Sequence, residues 1–424
     1  MGGDRQQRFD PRGQGFRSLA PVADVLARID ATVGPLGVEP VRLADAAGRV
    51  LAAETRAAAD IPPFDRSAMD GFAVRGRDVQ AAGPEAPAAL RVIGEARPGR
   101  PFSGVVGPGE AVDITTGAPL PAGADAVVRV EATVAAAGLV RVVEPTPVGR
   151  HVGRRGEDIA AGTVVLRAGR VLRPQDLGAL SALGRAEVPV VRRPAVAVVI
   201  TGDELLPPGT PAVDSRIADT NSVMLMALIA RDGGLARVVG PVRDDRATLR
   251  DAIAAAARSA DAVLVSGGSS TGAEDHAPGI VADLGTLEFH GVALRPASPA
   301  GLGRIGEVPV VLLPGNPVSC LCAYDFFAGR VVRRLGGRAS GWSYVACRAR
   351  LARPIASAVD RVDYVRVLLA DGRAEPITSG GASILSSATR ADGFLVVPAD
   401  VPGLAAGDEV VVWRYDPPVG ATVS

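Results

Sequence analysis

Lysine is missing from this sequence, so all 46 of its Lys+Arg residues are arginine. A phosphate loop closed by lysine, a Schiff-base lysine and a lysine nucleophile for adenylyl transfer all need an ammonium group that the chain does not have. Drift of base composition toward arginine, alanine, glycine and proline codons explains the bias equally well, and it removes the same chemistry. Cysteine is scarce: Cys320, Cys322 and Cys347 form neither an even disulfide set nor a CxxC pair, which suits a reducing compartment. With only His151, His276 and His290 beside them, a structural zinc site is not expected. No apolar run approaches the ~18 residues of a membrane-spanning helix. Residues 1 to 17 are polar and rich in arginine and glycine, without the apolar stretch of a signal peptide. The expectation is a cytoplasmic protein with a disordered tail over 1–17 and no membrane partner. Excess charge is also absent, since 46 cations balance 46 anions, so no global field draws the chain to nucleic acid.

What is present is enough apolar residue, 47% of 424, to bury several cores, and ~150 residues per domain gives a prior of about three. Residues 18 to 33 space apolar positions at three and four and predict an amphipathic helix, followed by a second around 43 to 52. From 56 to 149 short β-like runs (GFAVRG, LRVIGE, AVDITT, DAVVRVE, LVRVVE) are punctuated by glycine and proline, as in a small β-rich domain. The segment PQDLGALSALG then reads as helix, so the β domain looks inserted into a discontinuous helical one. From 195 onward buried strands (AVAVVI, ARVVG, DAVLVSGG, VPVVLLPG) alternate with helices over 219–232, 246–258, 277–284 and 318–335. That alternation predicts a parallel α/β sheet with ligands at the carboxyl ends of its strands. After a linker, GGRASGW, the remainder (YVACRARL, DYVRVLL, FLVVPA, DEVVVWRY) reads as a C-terminal β domain.

Gly267, Gly268, Ser269, Ser270, Thr271 and Gly272 follow a buried strand directly, where free backbone N–H groups and hydroxyls can hold a phosphate-like anion. A plain strand-to-helix turn is the other reading. GSSTG also fits the letters of a nucleophile elbow, but His276 is too close and His290 leaves little chain for the partner strands. Gly301-Leu-Gly303-Arg-Ile-Gly306 fits the dinucleotide fingerprint by letters only. A proline-rich turn precedes it and a strand follows, so it reads as a connecting loop. Carboxylates recur at the predicted strand ends: Asp203 and Glu204, Asp244 and Asp245, and Asp275. Delivered to one sheet edge beside a phosphate loop, they could hold Mg2+ and its waters against a phosphoanhydride; singly, each also fits a helix cap or a solvated turn. Asp70, Thr116 and Asn316 sit in glycine- and proline-rich turns that the need for tight backbone does not explain.

The segments PPFDRSAMDGFAV, TTGAPLPAGADAVV, GRRGEDI, TGDEL, RIADTNSVML, RDD, SGGSSTGAEDH and LPGNPVS, in that order across 18 to 336, resemble the molybdopterin molybdenumtransferase family, the MoeA proteins and the gephyrin E-domain. The resemblance implies a multidomain α/β and β fold. Its parts are a molybdopterin-binding three-layer α/β domain (191–337), a discontinuous helical domain (18–55 and 150–190), an inserted β domain (56–149) and a C-terminal β-barrel domain (338–424). It implies a Mg2+-dependent insertion of molybdate into adenylylated molybdopterin with release of AMP. The substrate would be supplied by a molybdopterin adenylyltransferase, and the active site would be shared between the subunits of a homodimer.

Carried over by motif, Asp70 and Thr116 would come from the opposite subunit. Glu204, Asp244 and Asp275 would be the functional acids and Mg2+ ligands. Gly267, Gly268, Ser269, Ser270 and Gly272 would hold the phosphate side of the pterin, with Asn316 on the same rim. The family's K-P-G-K-P segment is here Arg295, Pro296, Ala297, Ser298, Pro299, so one cation is kept and one lost. A guanidinium can still fork onto an oxyanion, whereas serine offers one neutral donor of roughly half the strength. Arg366 stands where the family places an arginine near molybdate, and the matching serine position is Ala382, with Ser383 one step away. The family's GVSVG is GSSTG here, and its Asp-Tyr is Asp275-His276. Two readings follow: a molybdenum insertase with an anion pocket rebuilt without lysine, or a non-catalytic molybdopterin-binding or scaffolding paralogue.

Overall fold

The computed structural model describes residues 18–268, 275–377 and 383–416. The tail 1–17 and the residues Ser269, Ser270, Thr271, Gly272 and Ala382, to which the sequence assigned roles, lie outside that set. Contacts divide the chain into two units, one of Val41–Ala47 with Ala53–Val188 and one of the remaining chain.

In the second of these units the helix α1 (Val22–Thr32) buries Val22, Val25 and Ile29, the expected spacing of three and four. No helix follows over 43 to 52. One 3-10 turn, Leu43–Asp45, forms instead, and Gly48 at φ 71° takes a left-handed conformation that a helix cannot continue through.

The β-rich unit carries a six-stranded sheet made of β1 (Gly71–Val74), β2 (Ala88–Ala96), β3 (Glu110–Ile114), β4 (Ala126–Arg129), β5 (Thr133–Ala136) and β6 (Leu139–Val142), in the order β4-β1-β3-β2-β6-β5. One face buries Phe72, Val74, Leu90 and Val128, and the other Ala73, Val112, Ile114 and Val127, so its central strands are covered on both sides. The same unit holds α2 (Pro174–Ala182), with proline at its first turn and the Asp176 carboxylate accepting from the Arg173 N–H at 2.9 Å.

The α/β sheet is built from β7 (Ala195–Thr201), β8 (Leu235–Val242), β9 (Ala262–Ser266), β10 (Thr286–His290), β12 (Gly301–Ile305) and β13 (Val308–Leu313), in the order β8-β7-β9-β13-β12-β10; between β10 and β12 lies the short β11 (Leu294–Arg295). Strands β8, β7, β9 and β13 are parallel. Val196, Val198 and Ile200 face one core with Leu225 and Ile229 of α3 (Asn221–Arg231). Ala197 and Val199 face the other with Leu249 and Ile253 of α4 (Arg246–Ser259) and Ile280 of α5 (Ala277–Leu284). Burial on both faces gives these strands their unbroken apolar runs.

The sheet is not wholly parallel, and the segment read as a connecting loop is one of its strands. Gly301-Leu-Gly303-Arg-Ile pairs antiparallel with both β10 and β13. Its glycines allow this, because a Cβ on Gly303 would stand 2.6 Å from the Thr286 carbonyl oxygen. The expected helix 318–335 is a succession of α6 (Pro317–Ala323), a π-helical turn Tyr324–Ala328 and α7 (Gly329–Leu335).

The C-terminal region is a closed barrel of β14 (Val345–Leu351), β15 (Val362–Ala370), β16 (Arg373–Pro376), β17 (Gly393–Val397) and β18 (Glu409–Arg414), ordered β15-β16-β14-β18-β17 and sealed by β15 pairing with β17. A short helix, α8 (Leu385–Thr389), precedes β17. The sparse aromatic residues gather where the barrel meets the helices. Phe394 stacks on Tyr364 at 4.2 Å, and Trp342 packs edge-on against Phe326, Phe394 and Trp413. Two buried carboxylates tie this junction together. Asp232 accepts from Arg333, Tyr324 and Ser343, and Asp325 from Tyr344 and Tyr364.

Candidate functional site

The carboxyl ends of β7, β9 and β13 converge with the start of α3. Gly267 leaves β9 at φ 100°, and a Cβ there would lie 2.3 Å from the Thr201 carbonyl oxygen, so only glycine lets the two strand ends meet. Gly268 follows at φ 54°, and its carbonyl accepts from the Ala277 N–H at 3.1 Å as the chain enters α5. Asp275, two residues before that helix, is half-buried.

Asp244 is fixed from two sides. Its Oδ1 accepts from the Thr201 hydroxyl at 2.5 Å and its Oδ2 from the Asp203 N–H at 3.2 Å, while the Asp244 N–H returns a bond to Asp203 Oδ1 at 3.3 Å. Glu204 is exposed and folds back over Gly202, where a Cβ would come within 2.7 Å of its Oε2. Among the described residues no three His, Cys, Asp or Glu side chains gather closely enough to hold a metal ion. Glu204, Asp244 and Asp275 therefore make no three-carboxylate nest, and both Asp244 oxygens already accept hydrogen bonds. These residues do not fit a resident Mg2+ held by protein ligands alone.

A second group lies where β11 pairs in parallel with β15, setting Arg295 opposite Asp363. The Arg295 guanidinium is ion-paired to the Asp363 carboxylate, which also accepts from Arg361 Nε at 3.0 Å and Ser357 Oγ at 2.9 Å. The retained cation of the altered segment thus already has a buried carboxylate partner. Ser298 turns its hydroxyl onto the Leu294 carbonyl at 3.0 Å, and Pro299 is half-buried. Arg366, on β15, is 7% exposed, and its Nε and Nη1 are buried with no hydrogen-bond partner among the described residues. Ser383 is exposed. Ser319 of α6 joins the two groups, donating from Oγ to the Pro296 carbonyl at 2.5 Å, three residues beyond the exposed Asn316.

In the β-rich unit Asp70 and Thr116 meet directly. Asp70 Oδ1 accepts from the Thr116 N–H at 2.7 Å and from its hydroxyl at 2.8 Å. These bonds, backbone first, hold the Asp70 carboxyl below the ordinary carboxylate range, and the Arg97 guanidinium adds to the effect. Ser67, 1% exposed, donates to the Met69 carbonyl at 2.5 Å and fixes the turn that presents Asp70.

Thr201, Asn221, Ser266, Ser319 and Asp363 also shape these groups, and the motifs alone did not single them out. Asn221 lay inside the segment RIADTNSVML, but nothing in its spacing told a helix-capping asparagine from one that bridges two strand ends. A largely apolar cavity of about 720 Å3 opens beside α3 and α8, lined by Met224, Leu228, Leu321, Tyr344, Leu385 and Tyr415.

A doubly covered, mainly parallel sheet with glycine turns at its carboxyl edge, joined to a closed barrel, defines a multidomain α/β protein, a class whose ligands bind at that edge as a rule. Models of three regions match the chain: the MoeA N-terminal region (domain I and II) over residues 20–184, the probable molybdopterin binding domain over 197–334, and the MoeA C-terminal region (domain IV) over 348–415. A relative named molybdopterin molybdenumtransferase 2, from Mycobacterium tuberculosis, is 38% identical over 412 residues, covering 94% of this chain and 99% of its own. A molybdopterin molybdenumtransferase from Nostoc is 33% identical over 383 residues, covering 88% of each chain. The solved molybdopterin biosynthesis MoeA protein of Pyrococcus horikoshii OT3 superposes with a TM-score of 0.81 at 32% identity, covering 94% of this chain and all of its own. The chain belongs to the MoeA family.

Proposed function

We propose that the protein inserts molybdate into adenylylated molybdopterin and releases AMP, a molybdopterin molybdenumtransferase of molybdenum cofactor biosynthesis. The observation that carries this reading is Arg366, a buried guanidinium with two nitrogens unpartnered among the described residues, the kind of donor that suits an anion. Its neighbourhood across β11 and β15 supplies the oxyanion side. The Gly267–Gly268 turn, with Ser269, Ser270 and Gly272 after it in the sequence, supplies the phosphate side, with Asn316 on its rim. Glu204, Asp244 and Asp275 orient the phosphoanhydride and the attacking water. Mg2+ in this reading arrives with the diphosphate, as is usual for an ion held by one or two carboxylates and substrate oxygens. Asp70 and Thr116 serve the opposite subunit of a homodimer, and a molybdopterin adenylyltransferase supplies the substrate. The same reading divides the chain into helical segments 18–55 and 150–190, a β insert 56–149, an α/β domain 191–337 and a barrel domain 338–424.

The ion pair of Arg295 with Asp363 favours the second reading, a paralogue that binds the pterin without inserting metal, because the cation left in the altered segment is already engaged. Molybdate-dependent AMP release by the purified protein with Mg2+ separates the two. Release that needs both ions, and is abolished by Glu204→Gln or Asp275→Asn in folded protein, supports the transferase. Tight pterin binding without release supports the paralogue.

A further inference from the structure

Asn221 is the first residue of α3 and is 7% exposed. Both of its amide hydrogens are used. Nδ2 donates to Ser266 Oγ at 2.9 Å, at the end of β9, and to the Gly315 carbonyl at 2.7 Å, in the turn after β13. The two acceptors belong to the residues just before Gly267 and just before Asn316. One side chain thus spans the turns on either side of the strand-end site, which also meet closely: a Cβ on Gly315 would lie 3.7 Å from the Gly267 Cα.

The third polar feature of Asn221 is not satisfied. Its Oδ1 is buried and has no hydrogen-bond partner among the described residues. An acceptor left in that state costs about 1–3 kcal/mol. Aspartate would forfeit both donors and bring a charge against the Gly315 carbonyl, and leucine would fill the space without bridging anything. An amide is therefore the group of this size that makes both bonds, and it makes them at the expense of a stranded oxygen. A position selected only for packing would shed that expense.

We propose that Asn221 is a positioning residue for the pterin substrate, acting by holding the Gly267–Gly268 turn and the Gly315–Asn316 turn at a fixed spacing. This rests on the transferase reading above, in which those turns grip the phosphate side of the substrate. Loss of the bridge widens the grip in the ground state and the transition state alike, so it weakens binding more than it slows the chemistry.

The test compares wild type with Asn221→Ala, Ser266→Ala and the double variant, by AMP release at varied adenylylated molybdopterin and by direct titration with molybdopterin. For Asn221→Ala the expected result is a KM and a molybdopterin Kd raised about tenfold, with kcat within about twofold and the melting temperature little lowered. Ser266→Ala removes one of the two bonds and raises both constants less. The double variant matches Asn221→Ala, because both changes cut the same bridge. Unchanged KM and Kd in Asn221→Ala, or a double variant whose effect is the sum of the singles, would overturn the proposal. If Asn221→Ala does not fold, the Ser266→Ala titration decides, and an unchanged Kd there counts against it. Absence of turnover in the wild type would instead sink the functional reading, while the molybdopterin titration still judges Asn221.

Discussion

Replacing Arg366 with methionine should stabilise the empty protein and abolish its response to molybdate. The guanidinium is 7% exposed and leaves Nε and Nη1 without acceptors among the described residues, and a buried donor so left costs about 1–3 kcal/mol, more when charged. Methionine keeps most of the side-chain length and carries no hydrogen-bond donor, so Arg366→Met should gain about 1–3 kcal/mol without an anion, the lower end if lost packing offsets part of it. At about 2–4 °C per kcal/mol for a domain of 150–250 residues, the melting temperature should rise by a few degrees. Molybdate at about 100 times its Kd should add about 2.7 kcal/mol to the wild type and nothing to the variant. Thermal unfolding with and without molybdate therefore predicts a crossover, with the variant the more stable alone and the wild type the more stable with the anion. A variant that melts lower than wild type in the absence of anion would show that the guanidinium is compensated after all. A variant that molybdate still stabilises as much as wild type would remove Arg366 from the anion site.

Gly267→Ala should destabilise by at least about 2 kcal/mol in denaturant titrations, since its φ is 100° and its Cβ would press on a backbone carbonyl that cannot yield. Gly178→Ala, inside α2 with open space around the new methyl, should instead stabilise by about 0.5–1 kcal/mol. Burial pushes the Asp325 carboxyl up to about 6, against the partial opposition of Arg231, Tyr344 and Tyr364. The native state then holds the extra proton between the ordinary value near 3.8 and about 6, so this group's contribution to stability is full below that window and falls as pH rises through it. Asp325→Asn should remove that component from the wild-type stability profile between pH 4 and 6.5, and an identical slope in both proteins would refute it. Thr116→Val removes one of the two bonds that hold the Asp70 carboxyl low, so the Asp70 midpoint measured by NMR titration should rise toward the ordinary carboxylate value.

Much of the architecture was legible because it rests on local pattern. The unbroken apolar runs of β7, β9 and β13, separated by amphipathic helices, could only be strands buried on both faces, and the structure covers both. Local pattern misled where long-range contact overrode it. Gly301 to Ile305 is too rich in glycine to look like a strand, and it is one because those glycines let two neighbouring backbones close in. The run from 43 to 52 has the composition of a helix, but Gly48 takes a left-handed backbone and only one turn forms.

By itself the sequence determined which chemistries are impossible, through the missing lysine, and which residues are available: Asp70 with Thr116, the glycine turn at Gly267, the strand-end acids and Arg366. Tertiary structure alone decided who is spoken for. Asp363, unremarkable in sequence, lies opposite Arg295 and takes up its charge, whereas Arg366 is buried with two nitrogens unpaired among the described residues. Asn221 bridges Ser266 and Gly315, which lie 45 and 94 residues away along the chain. A side chain's identity fixes what bonds it can make, and only the folded backbone fixes which partners come within the roughly 3 Å at which a hydrogen bond forms.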